Sequence, residues 1–177
     1  MTRQVFLDET KQQGYVVAAA AVVSGDVAPL RRVVRGLVLP GQRRLHMKTE
    51  RDSWRREIVA ALVAAQVEVV IDNAGRRYRT DREAREQCLR AVVADAAAEA
   101  GETRLVLEQD DSLLRWDSQR LIEVARAAGC RDRLRYDHLR ASAELLLAVP
   151  DAVAWCWARG GQWRRRVEPV VRLVRDV

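Results

Sequence analysis

The sequence lacks the features that mark several common protein classes. Its three cysteines are an odd number without paired spacing, which argues against a disulfide framework and a zinc knuckle. Its longest apolar stretch, Tyr15 to Val23, is only strand-length, whereas a membrane span needs roughly 20 residues. The first residues also lack the basic flank, long apolar region and cleavage site of a signal peptide. We therefore expect a soluble cytoplasmic protein with no membrane partner.

Several catalytic motifs are also missing. The chain has no GxGxxG and no P-loop, so nucleotide-cofactor folds lose their usual support. No serine lies in a nucleophile elbow, and no cysteine has a histidine at a suggestive spacing. These absences disfavour a hydrolase that uses a serine or cysteine nucleophile.

Lysine is scarce, although the chain is basic. Lys11 and Lys48 are the only lysines, so nearly all of the 31 basic residues are arginine, and the net charge is +6. The guanidinium group presents a planar fork of donors that suits phosphate. This bias favours a nucleic-acid partner, RNA or DNA, although an ordinary solvated surface rich in arginine has the same composition.

The length of 177 residues suits one domain, and 49% hydrophobic residues can form a packed core. Strand-like segments alternate with helical ones in the order β-β-α-β-α-β-α-β-α-β-α. This order predicts an α/β fold with a mixed central sheet and helices on both faces. We expect a domain over residues 1–160 and a basic C-terminal tail, residues 161–177, that packs on the domain or extends from it.

The predicted elements follow hydrophobic periodicity and turn residues. The predicted strands are residues 3–8, 15–23, 67–71, 104–108 and 134–136, and residues 45–48 are predicted to be a short strand or an extended segment. The predicted helices begin at Asp26 and at Asp52 or Ser53, and cover residues 80–100, 116–128 and 144–159. Pro150 interrupts the last of these, and a proline there starts a new helix or kinks an old one.

Acidic side chains stand where strands end. Asp8 and Glu9 follow one apolar run and Glu108 follows another, while Asp151 begins an otherwise apolar helix. In open α/β sheets, ligands gather at the carboxyl ends of strands. Grouped carboxylates repel one another unless a cation lies among them, and hard oxygen ligands suit Mg²⁺ or Mn²⁺.

We therefore predict that Asp8, Glu108 and Asp151 converge as metal ligands and catalytic groups. Glu9 and His46 are further catalytic candidates, and Asp110 or Asp111 is the alternative to Glu108. Asp72 also closes a strand, but the Asn73 and Gly75 that follow favour a turn-forming role. His138 is predicted to be a surface residue. Trp155, four residues after Asp151, is predicted to pack against the sheet.

Four short segments together resemble a known family. They are Phe6-Leu7-Asp8-Glu9-Thr10, Gly14-Tyr15-Val16-Val17, Leu45-His46, and the stretch from Leu146 to Trp155 that contains Pro150-Asp151. Together they resemble the family known as domain of unknown function 3800, of the RNase H-like superfamily. The resemblance implies an RNase H-like fold and metal-dependent phosphodiester chemistry.

The resemblance also implies roles for individual residues. Asp8 matches the acid on the first strand, Glu108 the acid on a later strand and Asp151 the acid on the final helix, while His46 matches a histidine that family members often carry. The chain departs from the pattern at Thr10, where serine is usual, and at Glu108, where aspartate is usual. Lys11-Gln12-Gln13 replaces a glycine-rich turn, and Pro150 replaces a small residue.

Two clusters of arginine are candidates for nucleic-acid binding. One is Arg76, Arg77 and Arg79 with Tyr78 among them, and the other is Arg164, Arg165 and Arg166 directly after Trp163. An aromatic ring among arginines can stack on bases while the arginines contact phosphates. A solvated basic surface or a protein-docking face would have the same composition.

Three functions remain open on this basis. The first is a metal-dependent RNase H-like nuclease that cleaves RNA or DNA. The second is a catalytically silent module of the same fold that binds nucleic acid or protein, which the departures at Glu108 and Pro150 favour. The third is a small-molecule enzyme on a flavodoxin-like sheet, which the missing phosphate loop disfavours. The oligomeric state is not encoded in any of these patterns.

Overall fold

The computed structural model describes residues 2–177, and within them six strands form one sheet. The strands are β1 (Arg3–Thr10), β2 (Tyr15–Val23), β3 (Glu68–Gly75), β4 (Thr103–Glu108), β5 (Leu134–Leu139) and β6 (Val171–Asp176). Their order in the sheet is β5-β4-β1-β2-β3-β6. Only β2 runs antiparallel to its neighbours, so the other five strands end at one edge, here called the carboxyl edge.

Helices cover both faces of this sheet. Residues 2–177 contain α1 (Ser24–Leu37), α2 (Asp52–Ala64), α3 (Asp81–Ala98), α4 (Leu114–Ala127), α5 (Ala148–Arg159) and α6 (Gly161–Val167). Neighbouring strand residues point to opposite faces, so Phe6 and Leu7 mark the two cores. Helices α1, α2, α5 and α6 share the core of Phe6, while α3 and α4 share that of Leu7. The predicted α/β class with a mixed sheet is confirmed.

The second strand has the bounds that its apolar run predicts. Val16 and Ala18 lie in one core and Val17 and Ala19 in the other, so β2 is covered on both faces. The turn before it depends on Gly14, whose φ is +112°, because a Cβ there would lie 2.9 Å from the backbone of Gly75. The turn from β1 into β2 is thereby fixed against the end of β3.

Helix α5 lies over β1 and β2 and also contacts α2 and α6. It is apolar on nearly all sides because it is packed on nearly all sides. Pro150 lies in its first turn, where a backbone N–H is not needed for the helix. The proline is therefore compatible with the start of α5, and Asp151 follows it in the first turn of the helix.

Residues 45–48, predicted to be a short strand or an extended segment, contain no strand and are extended only in part. His46 is extended, and Met47–Thr49 form a short 3₁₀ helix. The Arg55 side chain fixes this turn, since Nε donates to the Met47 carbonyl at 2.8 Å and Nη2 to the Lys48 carbonyl at 3.1 Å. Hydrophobic periodicity carries no information about such side-chain bonds, so it cannot distinguish this turn from an extended segment.

The turn-forming role of Asp72 is also wrong. Strand β3 continues to Gly75, so Asp72 lies inside the sheet and is fully buried. Its Oδ1 accepts a hydrogen bond from Arg175 Nε at 2.7 Å. Arg175 belongs to β6, which pairs with β3 in parallel. Residues 161–177, expected to form a basic tail, thus contain α6 and the sixth strand of the sheet.

Within residues 2–177, none of the helices combines the length and apolar character needed to cross a membrane. Cys88, Cys130 and Cys156 are all buried. Burial raises the pKa of the Cys88 and Cys156 thiols to about 12. Because the thiolate is the reactive form, neither of these two side chains suits nucleophilic chemistry at neutral pH.

Candidate active site

The sheet register places Asp8 beside Glu108. Leu7 of β1 pairs with Leu107 of the parallel strand β4, and Asp8 and Glu108 are the next residue on each strand. Both point to the face of Phe6 and α5, because side chains alternate along a strand. Two carboxylates from separate parts of the chain are therefore neighbours at the carboxyl edge.

Asp151 reaches the same place from α5 and is held there by the turn that follows His46. The Met47 backbone N–H donates to Asp151 Oδ2 at 2.8 Å, and His46 Nδ1 lies 3.2 Å from Asp151 Oδ1. This hydrogen bond is the main cause of a raised His46 pKa, which burial partly opposes. Both carboxylate oxygens of Asp151 thus have partners, and the side chain has a fixed orientation.

Electrostatics show that the three acids form one cluster. The pKa of Asp8 is raised well above its usual range, first by burial and then by the charges of Asp151, Glu108 and Glu9. A hydrogen bond from the Glu9 backbone N–H to Asp8 Oδ1, at 2.8 Å, opposes this shift only in part. Asp8 is therefore the carboxylate at which the mutual repulsion concentrates.

Arg44 is a member of the site that sequence reasoning missed. Its Nη1 lies 2.6 Å from Glu108 Oε1, and both side chains are partly exposed. The residue lies in the loop between α1 and α2, where no periodic pattern distinguishes it from the neighbouring Arg43. Arg44 neutralises Glu108 much as His46 engages Asp151.

Glu9 lies on the opposite face of the sheet from Asp8. Its Oε2 accepts a hydrogen bond from Arg85 Nη1 at 2.7 Å, and Arg85 also binds both carboxylate oxygens of Asp117. His138 Nε2 lies 3.3 Å from Asp117 Oδ2, and the His138 side chain is only 6% exposed. The prediction that His138 lies on the surface is therefore wrong, and Glu9 belongs to this second charge network.

A cavity of about 310 Å³ opens beside the acid cluster. The residues that line it include Asp8, Glu9, Asp151, His46, Lys11, Lys48 and Trp155. A larger cavity of about 450 Å³ is lined by residues from the opposite edge of the sheet and contains none of the predicted site residues. The smaller cavity is therefore the one that the predicted site residues line.

Trp155 packs against the core of Phe6, in line with the prediction from the sequence, but its side chain is not fully buried. It is partly exposed and lines the cavity. The Arg55 guanidinium lies 4.4 Å from its ring centroid, and Trp163 meets it edge to face at 5.3 Å. Trp155 thus forms a wall of the cavity one helical turn from Asp151.

The arginine clusters differ from the prediction in their aromatic members. Trp163 is buried at 5% exposure, so the prediction that its ring stacks on bases is wrong. Tyr78 packs against the core on the α3–α4 face and is only partly exposed. All six arginines, Arg76, Arg77, Arg79, Arg164, Arg165 and Arg166, are exposed. Their proposed contact with phosphate stays a prediction.

The donor set fits a divalent cation by its chemistry. Three side chains with hard oxygen donors lie at one edge, and burial followed by the charges of the other acids raises the pKa of Asp8. A cation would offset both effects. However, within residues 2–177 no three His, Cys, Asp or Glu side chains come close enough together to form a ready metal centre. In this structure Arg44 and His46 instead engage Glu108 and Asp151.

Comparison with known proteins identifies a solved structure with a similar fold. No family model matches the chain, and no curated protein matches it by sequence. Its fold is similar to a chain in the solved complex of PCNA with RNase HII from Archaeoglobus fulgidus, with a TM-score of 0.56 and 16% identity. That match covers 95% of this chain and 75% of the other. The protein thus has an RNase H-like fold, whereas no family match supports the finer resemblance to domain of unknown function 3800.

Proposed function

We propose that the protein is a metal-dependent nuclease that cleaves phosphodiester bonds in RNA or DNA. The observation that carries the proposal is the meeting of Asp8, Glu108 and Asp151 at the carboxyl edge of an RNase H-like sheet. Burial, and then the charges of the neighbouring acids, raises the pKa of Asp8, and a bound cation would stabilise the charged form of this carboxylate. The resemblance of four sequence segments to domain of unknown function 3800 supports the same interpretation.

Asp8, Glu108 and Asp151 are the residues that would hold Mg²⁺ or Mn²⁺. The ion would supply activation of a water and neutralisation of charge at the phosphodiester. Arg44 engages only Oε1 of Glu108, so Oε2 would remain available to the ion without loss of this ion pair. Met47 N–H fixes the orientation of Asp151.

His46 is the candidate for proton transfer. Its Nδ1 is engaged by Asp151, which leaves Nε2 as the atom that gives or takes a proton. Imidazole suits this work because its ordinary pKa, about 6.5, lies close to neutral pH. The hydrogen bond to Asp151 raises the pKa of His46, so the acid form persists to a higher pH than in a free histidine.

The test is cleavage of labelled single-stranded and duplex RNA and DNA with Mg²⁺ or Mn²⁺. We expect cleavage that EDTA stops and that Asp8→Asn abolishes. We also expect Mn²⁺ to raise the melting temperature of the native protein but not of Asp8→Asn, because a ligand that binds the native state stabilises it. Asp132→Asn is the matched control, since this exposed carboxylate lies just before β5, at the edge of the sheet opposite the site.

A second function, the silent RNase H-like binding module, is favoured by one observation. Arg44 and His46 already balance two of the three acids, and no ready cluster of three ligands exists among residues 2–177. Nucleic-acid binding without cleavage, and without a Mn²⁺-dependent rise in melting temperature, would favour this module over the nuclease.

A further inference from the structure

Both lysines of the chain line the same cavity. Lys11 and Lys48 are the only lysines among 31 basic residues, and both stand at the cavity that holds Asp8 and Asp151. Arginine serves every other basic position on the molecule. The cavity is therefore distinguished from the rest of the surface by the chemical type of its cations.

The two lysines come from different walls. Lys11 lies three residues beyond Asp8, just after β1, whereas Lys48 lies in the 3₁₀ turn whose Met47 N–H binds Asp151. Arg55 fixes that turn through the Met47 and Lys48 carbonyls. Lys11 thus follows the strand that carries Asp8, and its ammonium lies 5.7 Å from the Tyr15 ring centroid, whereas Lys48 belongs to the turn that binds Asp151.

The two lysines do not form ion pairs with the acidic residues that line the cavity on the face of α5. Within residues 2–177 neither ammonium forms an ion pair with Asp8 or Asp151, and Lys48 forms none at all. Lys11 pairs with Asp81 at 3.2 Å, but the two side chains are 48% and 66% exposed. Exposed pairs of this kind contribute little free energy, so a phosphate can replace Asp81.

We propose that Lys11 and Lys48 bind the two phosphates that flank the phosphodiester held over Asp8 and Asp151. The substrate is then a strand of nucleic acid that crosses the cavity, with one backbone phosphate at each lysine. The ammonium group is a compact charge with rotatable donors, which suits a phosphate that moves as the strand is bound. The choice of ligand rests on the proposed nuclease function.

The scarcity of lysine allows a direct test. Reductive methylation with ¹³C-formaldehyde keeps the positive charge and labels only Lys11, Lys48 and the terminal amine. We would titrate the native labelled protein with a ten-nucleotide single strand in EDTA, where no cleavage occurs. Both lysine resonances should shift with one common affinity, and a methylphosphonate strand of the same sequence, which lacks the charge, should leave them unmoved.

The salt dependence of strand binding in lysine variants measures the contribution of each lysine. For a single strand, the removal of one phosphate-binding side chain should flatten the plot of log K against log salt by about 0.7. The native protein should therefore lose about threefold more affinity between 50 and 200 mM salt than Lys11→Ala or Lys48→Ala does. Arg90→Ala is the control for net charge, since Arg90 is exposed on α3 and pairs only with Glu86.

The outcomes separate this inference from the proposed function. Unmoved lysine resonances, whether the strand binds elsewhere or not at all, would overturn the inference. An unchanged salt slope in both lysine variants would do the same, even if the protein cleaves nucleic acid. Conversely, lysine shifts and reduced slopes without any metal-dependent cleavage would overturn the nuclease and leave the phosphate contacts standing.

Discussion

At the scale of single residues, Arg85 and Asp117 form the most deeply buried ion pair that the structure describes. Their side chains are 5% and 2% exposed, and Arg85 Nε and Nη2 each lie 2.7 Å from an Asp117 oxygen. Removal of one partner leaves a buried charge without full compensation. We therefore expect Asp117→Ala to lower the free energy of unfolding by about 3–5 kcal/mol in urea denaturation.

The control is an exposed pair on the same helix as Arg85. Arg90 and Glu86 lie 2.7 Å apart with side chains 50% and 22% exposed, so Glu86→Ala should cost about 1 kcal/mol or less. Equal losses in the two variants would show that burial does not set the strength of the Arg85 network.

The pKa of Asp117 also makes the stability of the protein depend on pH. Burial raises the pKa of Asp117, but the hydrogen bonds from His138 and Arg85 outweigh it, so the pKa is lowered overall. A carboxyl with a lowered folded pKa stabilises the protein above its unfolded pKa, about 3.9, and this stabilisation disappears as the pH falls through the folded pKa. The difference in unfolding free energy between native protein and Asp117→Ala should therefore shrink below about pH 4. A difference that stays constant from pH 6 to pH 2 would contradict this assignment.

At the scale of elements, the sequence predicts the helices and strands that have a local hydrophobic pattern. It does not predict those that depend on an ion pair with a distant part of the chain. Strand β2 and the start of α5 follow from an apolar run and from a proline, and both are found where expected. Strand β6 was not predicted because it is an edge strand whose apolar and charged residues do not alternate, and because an ion pair contributes to its contact with the sheet. Arg175 reaches both Asp72 and Asp95.

The candidate site divides in the same way. Asp8 and Glu108 are visible in the sequence because an acid that directly follows an apolar strand is conspicuous. Arg44 is invisible because it lies in a loop without periodicity, and its contact with Glu108 spans 64 positions of the chain. Contacts between distant loops and strand ends depend on the register of the whole sheet, which no local pattern specifies.

Arg175 should be what fastens β6 to the sheet. Asp72 is fully buried and its Oδ2 has no hydrogen-bond partner, so Arg175 is the one cation that the structure describes beside this carboxylate. We expect Arg175→Ala to destabilise the protein by about 3–5 kcal/mol, because the Asp72 carboxylate would be left buried and unpaired. Thermal and urea unfolding would measure this loss.

Arg172→Ala is the matched control on the same strand. Arg172 is exposed, so its loss should change the unfolding free energy by no more than about 0.5 kcal/mol. Comparable losses in the two variants would mean that β6 is held by its backbone hydrogen bonds to β3 rather than by the buried ion pair.

At the scale of the whole molecule, the protein has a net charge of +6, but its candidate site contains a group of carboxylates. A polyanion can approach such a site only if cations around it supply the attraction. Helix α6 packs beside α5, and its Trp163 contacts the Trp155 wall of the cavity. If the proposed function holds, the exposed arginines of α6 would extend the path of a bound strand beyond the cavity.

The arginines of α6 should contribute unequally to that path. Arg164 is already engaged, since its Nη2 donates to the Trp157 carbonyl at 3.1 Å and its guanidinium lies 4.4 Å from the Trp157 ring centroid. Arg165 and Arg166 are exposed. For a single strand, we expect Arg165→Ala with Arg166→Ala to flatten the salt slope by about 1.4, and Arg164→Ala to leave it nearly unchanged. Binding to different sequences should weaken equally, because phosphate contacts carry no base information.

If the double variant kept the native slope, α6 would be a solvated or protein-facing surface, and the strand would have to leave the cavity past Arg76 and Arg79 instead.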